Sequence, residues 1–245
     1  MQYDNIPAVR RSALWEMRKS PAHYLYAATH EKEKTPALTF GSAVHMLILE
    51  PDRFGDEYII APNVDRRTKE GKRIWSELTE SGKEILSRAD YGTICDMRDA
   101  LMQNRTAAKL IESGKHEVPI QWTDGITGEL CKIRPDVIGD EYIVDYKTTT
   151  SCEDGAFERS CRNYGYKLQA GMYTEGVFHE TLKRYRFVFV AQEKTPPYAS
   201  RVYFCDPGFV DEGIDMFREL IGLYHHCKVT GNWPGYEDKE ILGDE

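Results

Sequence analysis

Apolar positions change period along this chain, and the change marks out its elements. Between Ser87 and Ser113 the residues Ile94, Met97, Leu101, Ala108 and Ile111 fall on one helical face, which predicts an amphipathic helix broken near Asn104. Upstream, Ser12 can cap a helix running to about Lys19, and "SPAHYLYAATH" restarts one after Pro21. The segment "FGSAVHMLILEP" reads as a short, largely buried helix ended by Pro51. Residues 52–82 combine a strand-like "EYIIAP", a charged loop and a helix around "RIWSELTESG". After Gly114 the period shortens to that of strands, with "EVPIQWTD", "LCKIRPDVI" and "EYIVDYKT" separated by the turn signals "DGITG" and "GD". Residues 155–181 read as helical, "YRFVFVAQ" and "SRVYFCD" as two more strands, and 208–228 as a last helix. Helices, a three-strand meander, a helix, two strands and a helix predict a mixed α/β layer structure.

At 245 residues and 41% hydrophobic, the chain can bury its own core as one domain. The expected division is a helical part over about 1–113 packed on an α/β core over about 114–228, followed by an acidic tail. No apolar run approaches the roughly 20 residues that span a bilayer, and "MQYDNIPAVRRS" lacks a signal-peptide core, so a cytoplasmic location without membrane contact is expected. Six scattered cysteines without CxxC spacing argue against a disulfide framework and against a zinc knuckle. The formal charge of -8 predicts solubility but does not decide for or against DNA, because "DRRTKEGKR" gathers basic residues while the C-terminus gathers acidic ones.

Candidate chemistry concentrates in "IRPDVIGDEYIVDYKTTT". On a strand, Asp145 and Lys147 share a face while Val144 and Tyr146 point the other way. A two-residue loop at Gly139 and Asp140 would set Asp136 opposite Ile143, with Asp145 its same-face diagonal neighbour within about 7 Å. A four-residue loop would pair Asp136 directly with Asp145, and a three-residue loop would split them onto opposite faces. Two buried carboxylates repel and call for a cation. Mg²⁺, with Mn²⁺ as a substitute, suits such oxygen ligands, and a neighbouring lysine can orient the attacking water and stabilise charge developing on phosphate. An arbitrary D-x-K is ordinarily a strand-end salt bridge; the preceding "RPD" at hairpin spacing distinguishes this one.

"RPD" followed by "VDYKTT" resembles the PD-(D/E)XK nuclease core. The wider set "SALWEMRKSPAHYLY", "LTFGSAVHMLILEP", "IIAPNVDRRTKEGK", "GELCKIRPD", "VDYKTT", "YKLQAGMYTEG" and "NWPGY" is similar to the RecE-type exonucleases, the exonuclease VIII branch of phage and prophage recombination systems. That resemblance implies a restriction-endonuclease-like fold, a central mixed sheet flanked by helices. It implies Asp136, Asp145, His45 and the backbone carbonyl of Tyr146 as metal ligands, and Lys147 as the catalytic lysine. It places Glu117 near the scissile phosphate, gives Gln169 and Tyr173 a role in contacting DNA or supporting the site, and puts the basic loop with Arg66, Arg67 and Lys72 close to the active site as backbone contacts. Each residue has an ordinary alternative: a core histidine for His45, a surface glutamate for Glu117, helix packing for Tyr173, a solvated face for the basic loop.

The implied activity is Mg²⁺-dependent degradation of linear double-stranded DNA from 5′ ends, leaving 3′ single strands for a RecT-like annealing partner. The implied assembly is a homo-oligomeric ring around DNA, tetramer before trimer. A RecB-like or CRISPR-adaptation nuclease is a second reading, but its iron–sulfur cluster needs cysteines clustered near the C-terminus, which Cys205 and Cys227 do not supply. A DNA-end-binding module with a dead nuclease fold is a third, and it would lack part of the set His45, Asp136, Asp145 and Lys147, all of which are present.

Overall fold

A computed structural model describes Tyr3, residues 6–30 and residues 35–238. Its first elements are β1 (Val9–Arg10), α1 (Arg11–Met17), α2 (Pro21–Thr29) and α3 (Pro36–Leu49). A 3-10 turn (Pro51–Arg53), α4 (Phe54–Glu57), β2 (Tyr58–Ile60), α5 (Lys69–Glu80), β3 (Glu84–Leu86), α6 (Arg88–Gln103) and α7 (Arg105–Glu112) follow. The second half holds β4 (Lys115–His116), β5 (Ile120–Thr123), β6 (Leu130–Ile133), β7 (Val137–Ile138), β8 (Tyr142–Thr149), α8 (Asp154–Tyr164), α9 (Tyr166–Thr181), β9 (Arg186–Glu193), β10 (Ser200–Phe204) and α10 (Pro207–Thr230).

Five strands form the central sheet in the order β10-β9-β8-β7-β4, with β8 and β9 parallel and the other pairs antiparallel. Alternation along β8 sends its side chains into two cores. Val144 and Tyr146 join Val137, Val188 and Val190 under Val44, Ile48, Ile94, Met97 and Leu101 of α3 and α6. Ile143 joins Phe187 and Phe189 on the other face, against Leu14, Phe157, Leu168, Met172 and Phe217 of α1, α8, α9 and α10. Helix α9 is buried on most sides, as expected of a helix sandwiched between a sheet and a second helix.

The break near Asn104 is a relay of caps. Asn104 ends α6 and its Oδ1 accepts from Ala107 N to start α7. Ser20 caps α2 in the same way, accepting from His23 N. Helix α1 instead starts at Arg11 without a side-chain cap, its cap position Arg10 lying two residues before the expected Ser12, because Val9 and Arg10 pair in parallel with Cys131 and Lys132 and that ladder fixes where the chain can turn.

The expected three-strand meander is not one sheet. β5 and β6 form a separate three-stranded sheet in the order β1-β6-β5, and the chain passes into the central sheet only at β7. "LCKIRPDVI" therefore breaks between Ile133 and Val137, where Pro135 cannot donate to a ladder. Asp136 sits at that crossing.

Candidate metal centre and active site

The β7–β8 register places the two aspartates. Val137 faces Val144 and Ile138 faces Ile143, and Gly139 N donates to Tyr142 O at 2.9 Å, so the chain reverses through Asp140 and Glu141. The turn lies one position beyond the expected Gly139 and Asp140, but its length stays even. The same register runs back to put Asp136 level with Asp145, the arrangement expected of the four-residue loop. Asp136 leaves the ladder there, and its side chain reaches over the strand: Tyr146 N donates to Asp136 Oδ2 at 2.7 Å.

Helix α3 brings His45 to the same point, with Nε2 3.0 Å from Asp136 Oδ2 and Nδ1 3.5 Å from Glu117 Oε1. Glu117 lies between β4 and β5, where its N–H donates to Asp136 O at 3.1 Å, and it adopts φ 52°. That left-handed backbone is disfavoured for a residue with a Cβ and is typical of functional positions held by their surroundings. Its second oxygen is 2.7 Å from Arg134 Nε. One ligand atom each from His45, Glu117 and Asp136 lies within 4.8 Å of the others, a spacing suited to a metal ion. These three, with Arg134, also face or adjoin an open cleft of about 980 Å³, whose wall includes His45, Glu117, Arg134, Thr148 and Lys194.

Asp145 stands beside this group, 1% exposed. Gln169 on α9 donates its amide to Asp145 Oδ1, and Arg11 on α1 donates to Gln169 Oε1 at 3.3 Å. Arginine can only donate, so the Gln169 carbonyl must face Arg11 and its NH₂ must face Asp145. Lys147 forms an ion pair with Asp145 Oδ2, yet that oxygen accepts no aligned hydrogen bond and is buried. A buried carboxylate oxygen held by a lysine alone, beside two more carboxylates and an imidazole, fits a divalent cation and its oxygen and nitrogen ligands.

The ionisation of these groups reflects their crowding. For His45, burial acts to lower the pKa, but the Asp136 carboxylate and then Glu117 overcome it and bring it up to about 8. Burial, and then the charge of Asp136, push Glu117 up to about 7 against the pull of His45 and Arg134. Burial also raises Asp145, to about 6, with Lys147 opposing and Asp136 adding to the rise. Burial works against ionised Asp136 as well, but His45, Lys147 and the Tyr146 N–H hold its carboxyl below the usual range. Three acids and one base thus compete for too few protons, a condition a divalent cation relieves.

The remaining site residues fall into two groups. Gln169, expected to contact DNA or support the site, is 3% exposed and donates its amide to Asp145. Tyr173 is half-buried, edge-on to Phe187 at 6.3 Å, on the same side of the sheet as Asp145. Arg66, Arg67 and Lys72 of the basic loop are not among the residues that line the cleft. Arg66 stacks on Trp75, Arg67 N donates to Asp65, and Lys72 is exposed on α5.

The residues missed from sequence are the supports. Arg11 immediately precedes the motif that began at Ser12, and Arg134 is the first residue of "RPD" itself. Gln192, wholly buried, accepts from Tyr146 OH at 2.6 Å and donates to Met97 O at 2.7 Å, so it fixes the strand beneath Asp145. Glutamine within the apolar run "YRFVFVAQ" was the available signal, since a buried amide must find partners.

The architecture is that of a PD-(D/E)XK-nuclease-like fold. The chain belongs to the family described as a PDDEXK-like domain of unknown function, DUF3799, whose model matches residues 11–242. Among solved structures it is similar to a candidate exonuclease from Eubacterium rectale, at 17% identity and a TM-score of 0.70 over 100% of this chain and 95% of that one. At that identity the likeness is one of fold. A second structure, SSO0001, aligns over 85% of each chain at 16% identity but with a TM-score of only 0.31, too loose to carry any argument. No curated protein matches the chain. Family and fold together support a nuclease. No helix among the described residues is long and apolar enough to cross a membrane.

Proposed function

We propose that the protein is a Mg²⁺-dependent exodeoxyribonuclease that degrades linear double-stranded DNA from 5′ ends and leaves 3′ single strands. The observation that carries this reading is the meeting of His45, Glu117 and Asp136 within 4.8 Å, next to the Asp145–Lys147 pair and at the wall of an open cleft. His45, Glu117 and Asp136, with Asp145 beside them, would hold the cation, and the backbone carbonyl of Tyr146 is the further ligand implied by RecE-type enzymes. A bound divalent ion supplies Lewis-acid polarisation of the phosphoryl oxygens and lowers the pKa of water. Lys147, held against Asp145 and 19% exposed, stands next to Thr148 of the cleft wall and would steady the attacking water and the charge that grows on phosphate. Gln169 and Arg11 keep the Asp145 carboxylate turned toward Lys147. The 5′ polarity, a RecT-like annealing partner and a ring of subunits, tetramer before trimer, are supported by the sequence likeness to RecE-type exonucleases.

The test is purified protein with linear duplex labelled at one 5′ or one 3′ end and with closed circular DNA, each with Mg²⁺ or with EDTA. Loss of linear duplex alone, only with Mg²⁺ and with early release of the 5′ label, is expected. Cutting of closed circles would make it an endonuclease, and early release of the 3′ label would reverse the polarity.

A further inference from the structure

We infer that the recess where the parallel strands β8 and β9 end is a phosphate subsite for the DNA strand, with Lys194 as its counter-charge; the inference rests on the proposed nuclease function. In α/β sheets, ligands gather beyond the carboxyl ends of parallel strands. Here the register runs from Lys147 opposite Ala191 to Thr149 opposite Glu193, and Lys194 N then donates to Thr149 O at 3.2 Å. Beyond that point opens a recess of about 210 Å³, walled by Thr148, Thr149, Thr150, Ser160, Tyr164 and Lys194. Thr148 and Lys194 also line the large cleft, so the two spaces adjoin.

The lining offers hydroxyls and one ammonium, with Thr149 Oγ1 already donating to Ser151 O at 3.1 Å and Ser160 Oγ to Ala156 O at 3.2 Å. Among the described residues, neither Lys194 Nζ nor the hydroxyls of Thr148, Thr150 and Tyr164 has a hydrogen-bond or ion-pair partner. The nearby carboxylate of Glu193 is committed elsewhere, accepting from Cys152 N at 2.9 Å. Spacing ties the recess to the chemistry. Thr149 lies two residues beyond Lys147 on the same face, ~7 Å along a strand. The recess thus lies one strand step beyond the active-site lysine and opens next to the cleft, where the strand being cut would continue. Tyr166, a further residue of the lining, has its ring centre 5.1 Å from Lys147 Nζ, which sets the recess next to that lysine. Tyr164, 60% exposed at the rim, offers a face on which a base can stack.

The experiment is a fluorescence-anisotropy titration of short duplexes, 5′-phosphorylated or 5′-hydroxyl, across a salt series with Ca²⁺ replacing Mg²⁺ to suppress cutting. Lys194→Met should weaken binding several-fold and lower the slope of log K against log salt by about 0.9, one phosphate's worth. Thr150→Val should weaken binding in the same direction, and the Mn²⁺ affinity of both variants should match the parent. Equal loss on both duplexes identifies a backbone phosphate; loss on the 5′-phosphorylated duplex alone identifies the terminal one. An unchanged slope for Lys194→Met, with the parent binding DNA normally, overturns the recess alone. A parent that binds neither duplex overturns the nuclease reading itself.

Discussion

Asp136 and Tyr146 are joined across the β7–β8 hairpin, the backbone N–H of one donating to a carboxylate oxygen of the other at 2.7 Å. The bond gives Asp136 a structural duty as well as a chemical one, and two substitutions separate them. Asp136→Asn keeps an acceptor for Tyr146 N while removing the charge. It should melt near the parent in EDTA yet bind Mn²⁺ at least ~10-fold more weakly and lose activity. Asp136→Ala strands the Tyr146 N–H and should cost a further ~1–3 kcal/mol of stability, readable by urea denaturation. Equal stability of the two variants would show that the bond does not matter.

Glu117 carries the opposite sign. Buried beside Asp136 and in a left-handed backbone, it is a carboxylate the metal-free fold tolerates poorly. Glu117→Gln should raise the melting temperature in EDTA while lowering Mn²⁺ affinity and nuclease activity. A variant that is both less stable and fully active would remove Glu117 from the ligand set.

Stability in the absence of metal should fall as pH rises. Asp145 and Glu117 have pKa values raised to about 6 and about 7, and His45 to about 8, so each stabilises the metal-free fold while protonated. The acids' share is fully present below their unfolded values near 4 and is lost as pH climbs through 6 and 7; that of His45 is present below about 6.5 and is lost through 8. Cation binding needs these groups deprotonated. Melting curves at pH 6, 7 and 8, with Mn²⁺ or with EDTA, should therefore diverge, the gap between them widening by several degrees. A constant gap would mean that protons and metal do not compete here.

Lys147→Met should reduce turnover by ~10²–10⁴-fold and also destabilise the metal-free protein, because Asp145, 1% exposed, loses the cation it pairs with. Mn²⁺ should restore part of that stability, since it replaces the missing positive charge. Gln169→Leu should act more mildly on turnover, and Gln169→Glu more severely, because a carboxylate cannot donate to Asp145.

Much of the centre was legible in the sequence. Period and caps located the long helices, and the spacing of Asp136, Asp145 and Lys147 pointed to the hairpin, while the loop length that decides their faces stayed open until the register was seen. The turn was displaced by one residue because local glycine preference competes with ladder pairing, and only even length mattered for the faces. The meander failed at Pro135, since nothing local tells a strand that its second half joins another sheet. Gln169 turned inward because α9 is covered on both sides, which depends on where α10 lies. Arg11 and Gln192 act on partners 158 and 46 residues away in sequence, a relation that no local pattern encodes.

One consequence belongs to α9 and α10. A Cβ at Gly171 would lie 2.1 Å from the backbone of Gly213, and one at Gly213 would lie 2.0 Å from Lys167 O. Two missing methyl groups thus let one helix rest directly on the spine of the other. Gln169 rides on that spine two residues from the contact, so the thickness of a single methyl sets how deep its amide reaches toward Asp145. Adding that methyl, as in Gly213→Ala, would act as a shim: it would push the amide off its carboxylate from a position that touches neither substrate nor metal.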